Sequence, residues 1–280
     1  MTHIAVLGST NMDLVAYVGK APQRGETVTG REFRTIPGGK GANQAVAAAR
    51  SGADVSMIGA VGNDPYGTQL RSTLEHSGVD TDHLRTVEGP SGTAHIVVDD
   101  EGGNAIVVIP ADALLLQLEI PLTAVIEGAQ AAHRHDVRTI LTPAPAQPLP
   151  PELLAVTDLL VPNQHEATAL TGLTDPHQAA IALLDQVPEV VVTLGPAGSL
   201  YATRGAEPVT LTVPAPPVTA VDSTGAGDTF VGALAVALAE GRPMPDALAW
   251  AAAAGALSVQ RPGASASMPY RSEIEARYTS

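Results

Sequence analysis

The run Asp222-Ser223-Thr224-Gly225-Ala226-Gly227-Asp228-Thr229-Phe230 combines two residue types that suit phosphate chemistry. Gly225 and Gly227 add no side-chain bulk, so the backbone there can approach a ligand closely. The residues that follow read as a helix with Phe230, Leu234 and Leu238 on one apolar face. Free N–H groups at its start would attract an anion. A carboxylate in that turn, Asp228, could take a proton from an alcohol beside a bound phosphate. An Asp at a helix start also has an ordinary structural use, and short Gly motifs recur by chance. A second glycine-rich loop, Pro37–Gly41, precedes another helical stretch and carries Lys40, a ligand group or simply a solvated loop lysine. In Asn163-Gln164-His165-Glu166, Glu166 stands three residues after Asn163, the spacing of a capping box.

The elements that must position these residues follow an α/β rhythm. Ile4–Gly8 and Val55–Ala60 are short apolar runs of the kind found in parallel sheets, with a helix from Ala42 to Arg50 between them. Beyond Ile120 the pattern predicts a helix over Leu122–His135 and strands over Val137–Leu141, Leu159–Val161 and Val190–Leu194. A helix begins at Glu166–Leu170, a hairpin joins Ser199–Ala202 to Val209–Val213, and Ala-rich helices cover Thr229–Glu240 and Pro245–Gln260. The expectation is one α/β domain over 1–280: a doubly wound, mostly parallel sheet with helices on both faces. Four short strands break the rhythm, at Asp13–Val18, Glu32–Ile36, Thr93–Asp99 and Asn104–Ile109. They predict a small β-sheet lid inserted at about 13–36 and 93–109.

Composition narrows the function classes. The net charge of −14 argues against a nucleic-acid or anionic-membrane surface. The absence of cysteine removes disulfides, thiolate metal sites and thiol nucleophiles. No apolar run approaches a membrane span of about 20 residues, and the N-terminus does not resemble a signal peptide. A cytoplasmic protein is therefore expected. Aromatics are only 3% of the chain, so its core must be built from Ala, Val, Leu and Ile. No Gly-x-Gly-x-x-Gly follows the first strand, which argues against a dinucleotide-dependent oxidoreductase.

Taken together, Gly-Ala-Gly-Asp-Thr-Phe after Asp-Ser-Thr resembles the C-terminal signature of the ribokinase-like, PfkB-type carbohydrate kinases. Gly38-Gly39-Lys40-Gly41-Ala42-Asn43-Gln44-Ala45, about 180 residues earlier, resembles the family's sugar-site signature. The resemblance covers nearly the whole chain. It implies transfer of the γ-phosphoryl group of ATP to a sugar hydroxyl, with D-ribose the first candidate. It further implies Asp228 as catalytic base and Gly225, Ala226 and Gly227 as an anion hole. Asn11, Asp13, Gly39, Lys40, Asn43, Glu119 and Asp228 itself would bind the sugar. Asn163, Thr193 and Gly195 would lie on the nucleotide side, with Asn163 and Glu166 helping to hold Mg²⁺, largely through water. Asp222, Thr224, Ser258, Arg261, Gly263 and Ser267 match the positions of a monovalent-cation site, usually for K⁺. A homodimer joined through the lid is implied as well.

Two departures from the family's pattern bear on these expectations. After Ile106-Val107-Val108-Ile109-Pro110 the family usually continues with a Gly-Ala-Asn loop and a full helix; here Ala111-Asp112-Ala113 leads directly into Leu114–Glu119. A crossover between parallel strands needs about a dozen residues or more. Thr142 also stands where the family commonly has Asn before Pro. Two further readings therefore stay open: a kinase for another sugar or a nucleoside, and a ligand-binding or assembly protein without turnover.

Overall fold

The computed structural model describes residues 2–17, 32–93, 111–205 and 208–278. Its elements in chain order begin with β1 (His3–Leu7), β2 (Asn11–Tyr17), β3 (Glu32–Gly38), α1 (Lys40–Arg50), β4 (Asp54–Gly62) and α2 (Pro65–His76). Then come β5 (Val79–Asp80), β6 (Leu84–Val87), β7 (Ala113–Leu116), α3 (Leu122–Arg134), β8 (Arg138–Leu141) and α4 (Pro151–Leu154). These are followed by β9 (Leu159–Leu160), α5 (Gln164–Thr171), α6 (Pro176–Leu183), β10 (Glu189–Thr193), β11 (Ser199–Thr203) and β12 (Val209–Val213). Three helices close the chain: α7 (Ala226–Ala239), α8 (Met244–Ser258) and α9 (Arg271–Tyr278).

The main sheet runs β12-β11-β10-β9-β8-β7-β1-β4-β5, with β6 also paired to β4. Every pairing from β10 to β5 is parallel, and β11 and β12 extend the sheet antiparallel. Alternation along β1 explains the layers. Ile4 and Val6 belong to a core shared with α1, α2, α7, α8 and α9, whereas Ala5 and Leu7 pack with residues of α3, α4, α5 and α6. Side chains in a strand alternate between faces, so both faces are covered, as a doubly wound sheet requires.

The short link into β7 does not keep that strand from its place. Leu114–Leu116 pair with Ala5–Leu7 on one side and with Thr139–Leu141 on the other. The entry is pinned where Asp112 N–H donates to His3 O at 2.8 Å and His3 N–H donates to the Asp112 carboxylate at 2.8 Å. Among the described residues no helix lies between β6 and β7. The expected lid strands over Thr93–Asp99 and Asn104–Ile109 lie outside the described residues except Thr93, which bridges to Met12. The first lid pair is present: β2 and β3 form an antiparallel two-stranded sheet, from Asn11 opposite Gly38 to Tyr17 opposite Glu32.

One difference from the sequence pattern concerns α7. A single apolar face was expected; instead every residue from Asp228 to Ala237 is buried. Packed between α1 and α8, this helix has solvent on neither flank over that stretch, which its Ala, Gly and Val side chains tolerate.

Candidate active site

In an open α/β sheet, ligands bind beyond the carboxyl ends of the strands, where successive connections leave in opposite directions. Here that point lies at β1, between β4 and β7. The residues following β1, β7, β8 and β9, with the end of β10, supply Asn11, Glu119, Thr142, Asn163 and Thr193. All stand on the same edge of the sheet.

The residues expected to bind the sugar gather around the start of α1. Gly39 precedes that helix with φ 98°, a conformation L side chains rarely adopt. A Cβ there would stand 2.8 Å from Asn11 Oδ1 and 2.8 Å from Ser9 O. Having no side chain, Gly39 cannot cap α1 itself, and Glu119 substitutes from across the sheet. Its Oε2 accepts from Lys40 N–H at 2.8 Å and from the Ser9 hydroxyl at 2.5 Å. A carboxylate at a helix N-terminus is electrostatically favoured. Glu119 Oε1 stands 3.8 Å from Lys40 Nζ, so the carboxylate has both a structural and an electrostatic role. Nearby, Asn11 Nδ2 donates to Asp13 Oδ1 at 2.7 Å. Burial raises the Asp13 pKa, against the lowering effect of that hydrogen bond.

Asp228 lies in the first turn of α7 and is buried. Gly225 precedes the helix with φ 72°, and a Cβ there would approach Ala264 Cα to 3.2 Å. Gly227 faces open space, with nothing within 4 Å of an added Cβ. The Ala226 N–H donates to Ser223 O at 3.2 Å, while those of Gly225 and Gly227 have no partner among the described residues. The Asp228 carboxylate is approached from α1: Asn43 Nδ2 donates to Oδ2 at 3.0 Å and Gln44 Nε2 to Oδ1 at 3.3 Å. Burial pushes its pKa up to about 6, overriding the lowering by Lys40, Asn43 and Gln44; Glu119 adds a small upward push. The result is a carboxylate ionised near neutrality yet basic enough to accept a proton.

Toward β9 and β10 the capping box is present in full. Asn163 Oδ1 accepts from Glu166 N–H at 2.9 Å, and Glu166 Oε2 accepts from Asn163 N–H at 2.8 Å. Burial raises the Glu166 pKa, and the Asn163 backbone N–H and Lys40 oppose the shift, so this carboxylate feels the charge of Lys40 at the start of α1. Thr193 bridges to Asn163, and Gly195 opens a short 3₁₀ turn after β10.

Asp222 joins two loops. One oxygen accepts from Thr224 N–H at 2.9 Å and Thr224 Oγ at 2.7 Å; the other accepts from Gly263 N–H at 2.8 Å. These bonds hold its pKa below the usual carboxylate value, that from Gly263 most of all. Ser258 and Ser267 return their hydroxyls to the carbonyls of Gly255 and Ala264, and Arg261 pairs with Glu273. The side chains at these positions are thus already engaged. Among the described residues no group of three or more His, Cys, Asp or Glu could hold a metal ion. Gln117 and Thr142 also reach this region but carry no recognisable motif; Gln117 stands two residues before Glu119, on the same strand exit.

The pfkB family carbohydrate kinase profile matches residues 1–114 and 104–271. The chain belongs to that family. Among curated pfkB relatives, ribokinase of Bacillus subtilis is 46% identical over 297 aligned positions, covering 98% of this chain and 99% of the relative. Ribokinase of Schizosaccharomyces pombe is 38% identical, covering 99% and 98%. The solved structure of Arabidopsis thaliana ribokinase complexed with ribose and ATP matches with a TM-score of 0.87 at 32% identity, both chains fully covered. Thermotoga maritima ribokinase matches with a TM-score of 0.87 at 35% identity, again over both whole chains. The alignment to the Bacillus protein is longer than this 280-residue chain, so that relative has residues without counterpart here. The family match divides at 104–114, where the link into β7 is short.

Proposed function

We propose that the chain transfers the γ-phosphoryl group of ATP to the 5-hydroxyl of D-ribose, with Asp228 as the general base. One observation carries this reading: a buried carboxylate with a pKa of about 6 in the first turn of α7, beside the open space over Gly227. In this reading Asn11, Asp13, Gly39, Lys40 and Asn43 hold the sugar hydroxyls, and Glu119 fixes Lys40 among them. Asp228 takes the hydroxyl proton as the oxygen attacks the γ-phosphorus in line. The N–H groups of Gly225 and Gly227, with Ala226 once released from Ser223, stabilise charge on the transferring oxygens. Asn163, Thr193 and Gly195 flank the nucleotide.

The donor chemistry fits the two cations that accompany such a reaction. Glu166 keeps Oε1 outside the capping box and Asn163 Oδ1 retains a second lone pair, oxygens of the kind a hard cation prefers. Mg²⁺ retains several waters, so these two groups suffice, largely through water. Bound there, Mg²⁺ would neutralise polyphosphate charge. For a monovalent ion such as K⁺, the loops containing Asp222, Thr224, Ser258, Arg261, Gly263 and Ser267 would have to offer mainly carbonyl oxygens, because the side chains are engaged elsewhere. Asp222 supports that arrangement by tying the two loops together. A homodimer through the lid is supported by Phe33, 61% exposed on β3.

The test is ADP release over a panel of ribose, other pentoses, fructose and nucleosides, with K⁺ present and absent. Ribose should give the highest kcat/KM, and K⁺ should raise it. Nucleotide or sugar binding without release for any acceptor would replace this reading with that of a non-catalytic binding protein. Asp228→Asn should lower kcat by about 10²–10⁴-fold with sugar binding retained.

A further inference from the structure

Two buried amides behind Asp228 have no role in the scheme above. Gln44 and Gln117 are both fully enclosed, and enclosing an amide is unfavourable unless its groups find partners. Gln44 Nε2 stands 3.3 Å from Asp228 Oδ1 and 3.3 Å from Thr142 Oγ, and Gln44 Oε1 accepts from Gln117 Nε2 at 2.6 Å. An ionised carboxylate can only accept hydrogen bonds, so Gln44 must turn its NH₂ toward Asp228. Its carbonyl then faces Gln117, which must present an NH₂ in turn. Each link thus donates in one direction, Gln117 to Gln44 to Asp228. Gln117 Oε1, at the far end, is left without a partner.

The base of this chain is held by the sheet. Gln117 and Thr142 leave the adjacent strands β7 and β8, and Thr142 N–H donates to Leu116 O at 2.9 Å. We propose that Gln117 and Gln44 are positioning residues that aim the Asp228 carboxylate, Gln44 by direct donation and Gln117 by fixing which end of the Gln44 amide faces it. The inference rests on Asp228 being the base. A reversed Gln44 would set a carbonyl oxygen against the carboxylate and give up the bond from Gln117 Nε2, so Gln117 adds to the cost of that reversal. The charged groups facing Asp228 are Lys40, at the start of α1, and Glu119, after β7; Asn43 adds one more neutral donor. None of these changes when the two glutamines are replaced. A hydrogen bond to the charged form of an acid favours that form. Loss of the Gln44 donor therefore makes Asp228 harder to ionise.

The experiment compares pH profiles of kcat/KM for ribose in the wild type, Asp228→Asn, Gln44→Met, Gln117→Met and Gln117→Asn, with urea unfolding to confirm the fold. The acid limb of kcat/KM reports the essential base of the free enzyme. In Gln44→Met it should move upward by about one pH unit, with kcat reduced and the KM for ribose within about twofold of wild type, since no sugar contact is touched. Both Gln117 variants should shift it in the same direction by less, although Gln117 touches neither Asp228 nor substrate. Gln117→Asn keeps the amide but is one methylene too short for Gln44, so it decides the matter even if the Met variants do not fold. An active Asp228→Asn would remove the base and the relay together. An inactive Asp228→Asn, alongside wild-type acid limbs in the folded glutamine variants, would sink the relay alone.

Discussion

Replacing Asp228 by Asn should disable the enzyme and, as pH rises, make its fold progressively more stable than that of the wild type. The magnitude follows from the raised pKa. Burial, the largest cause, pushes the Asp228 carboxyl up to about 6 in the folded protein, against 3.8 for an unperturbed aspartate. At 1.36 kcal/mol per unit this is a penalty of about 3 kcal/mol for holding the charge in the folded state at neutral pH. Between the two pKa values the folded chain binds more protons at this group than the unfolded chain does. Stability from this group is therefore full below the unfolded pKa and is lost as pH rises through about 6. Asn carries no such titration. Between pH 5 and 7.5 the advantage of Asp228→Asn over wild type should grow by between about 1 and 2 kcal/mol, the part of the 3 kcal/mol that remains to be lost above pH 5. Comparing the two proteins at each pH cancels every other titrating group, and any fixed cost of meeting Asn43 and Gln44 with an amide is independent of pH. Urea unfolding at four pH values in that window reads the difference directly. Parallel stability curves would refute the claim that Asp228 is charged at neutral pH against its burial.

Three other perturbations test separate parts of the site. Glu166→Gln should raise the KM for MgATP by about tenfold or more while leaving the ribose KM near wild type, and should cost no more than about 1 kcal/mol in unfolding, since the cap on α5 is only weakened. Asp222→Asn should lose one acceptor between the 222–224 turn and Gly263, destabilise by about 1–3 kcal/mol and blunt activation by K⁺, read from ADP release with and without the ion. Gly232→Ala should force α7 from α1, because its Cβ would lie 2.6 Å from Ala47 Cβ and 2.8 Å from Gln44 O. The expected cost is about 1–3 kcal/mol together with a fall in kcat larger than the change in KM; unchanged kcat would show that the Asp228 contacts tolerate the displacement.

The sequence shows the sheet more readily than the elements that finish it. β1, β4, β8 and β10 are short apolar runs bounded by polar or turn residues, and each forms close to its expected limits. The apolar pattern does not announce α2, α6 or α9: only Leu70 and Leu74, with Gly67, are buried on α2 and Ile274 alone on α9, while α6, though rich in Ala, Ile and Leu, is only eight residues long. Their signals lay at their starts instead. Asp64-Pro65 and Asp175-Pro176 each place a capping carboxylate before a Pro at the first helical position, and both caps form. At the site, motif residues such as Asn43, Glu166 and Asp228 stood out in sequence. Gln117 did not, because its significance comes from an amide 73 residues away that only parallel pairing of β1 with β7 brings within reach.

Small side chains between α1 and α7 decide where Asp228 sits relative to its donors. Helices α1 and α7 meet where Gly232 faces Gln44, Ala47 and Ala48, and a glycine at 232 leaves no room for even one methyl group. Large side chains at that seam would hold the helices apart, and two adjacent residues of α1, Asn43 and Gln44, could not both reach one carboxylate on α7. Close packing of small side chains thus does what a longer reach could not. It buries Asp228 enough to raise its pKa, while keeping the donors close enough that it still ionises near neutrality. The small residues of α1 and α7 therefore shape the surroundings of Asp228 as much as they fill the core.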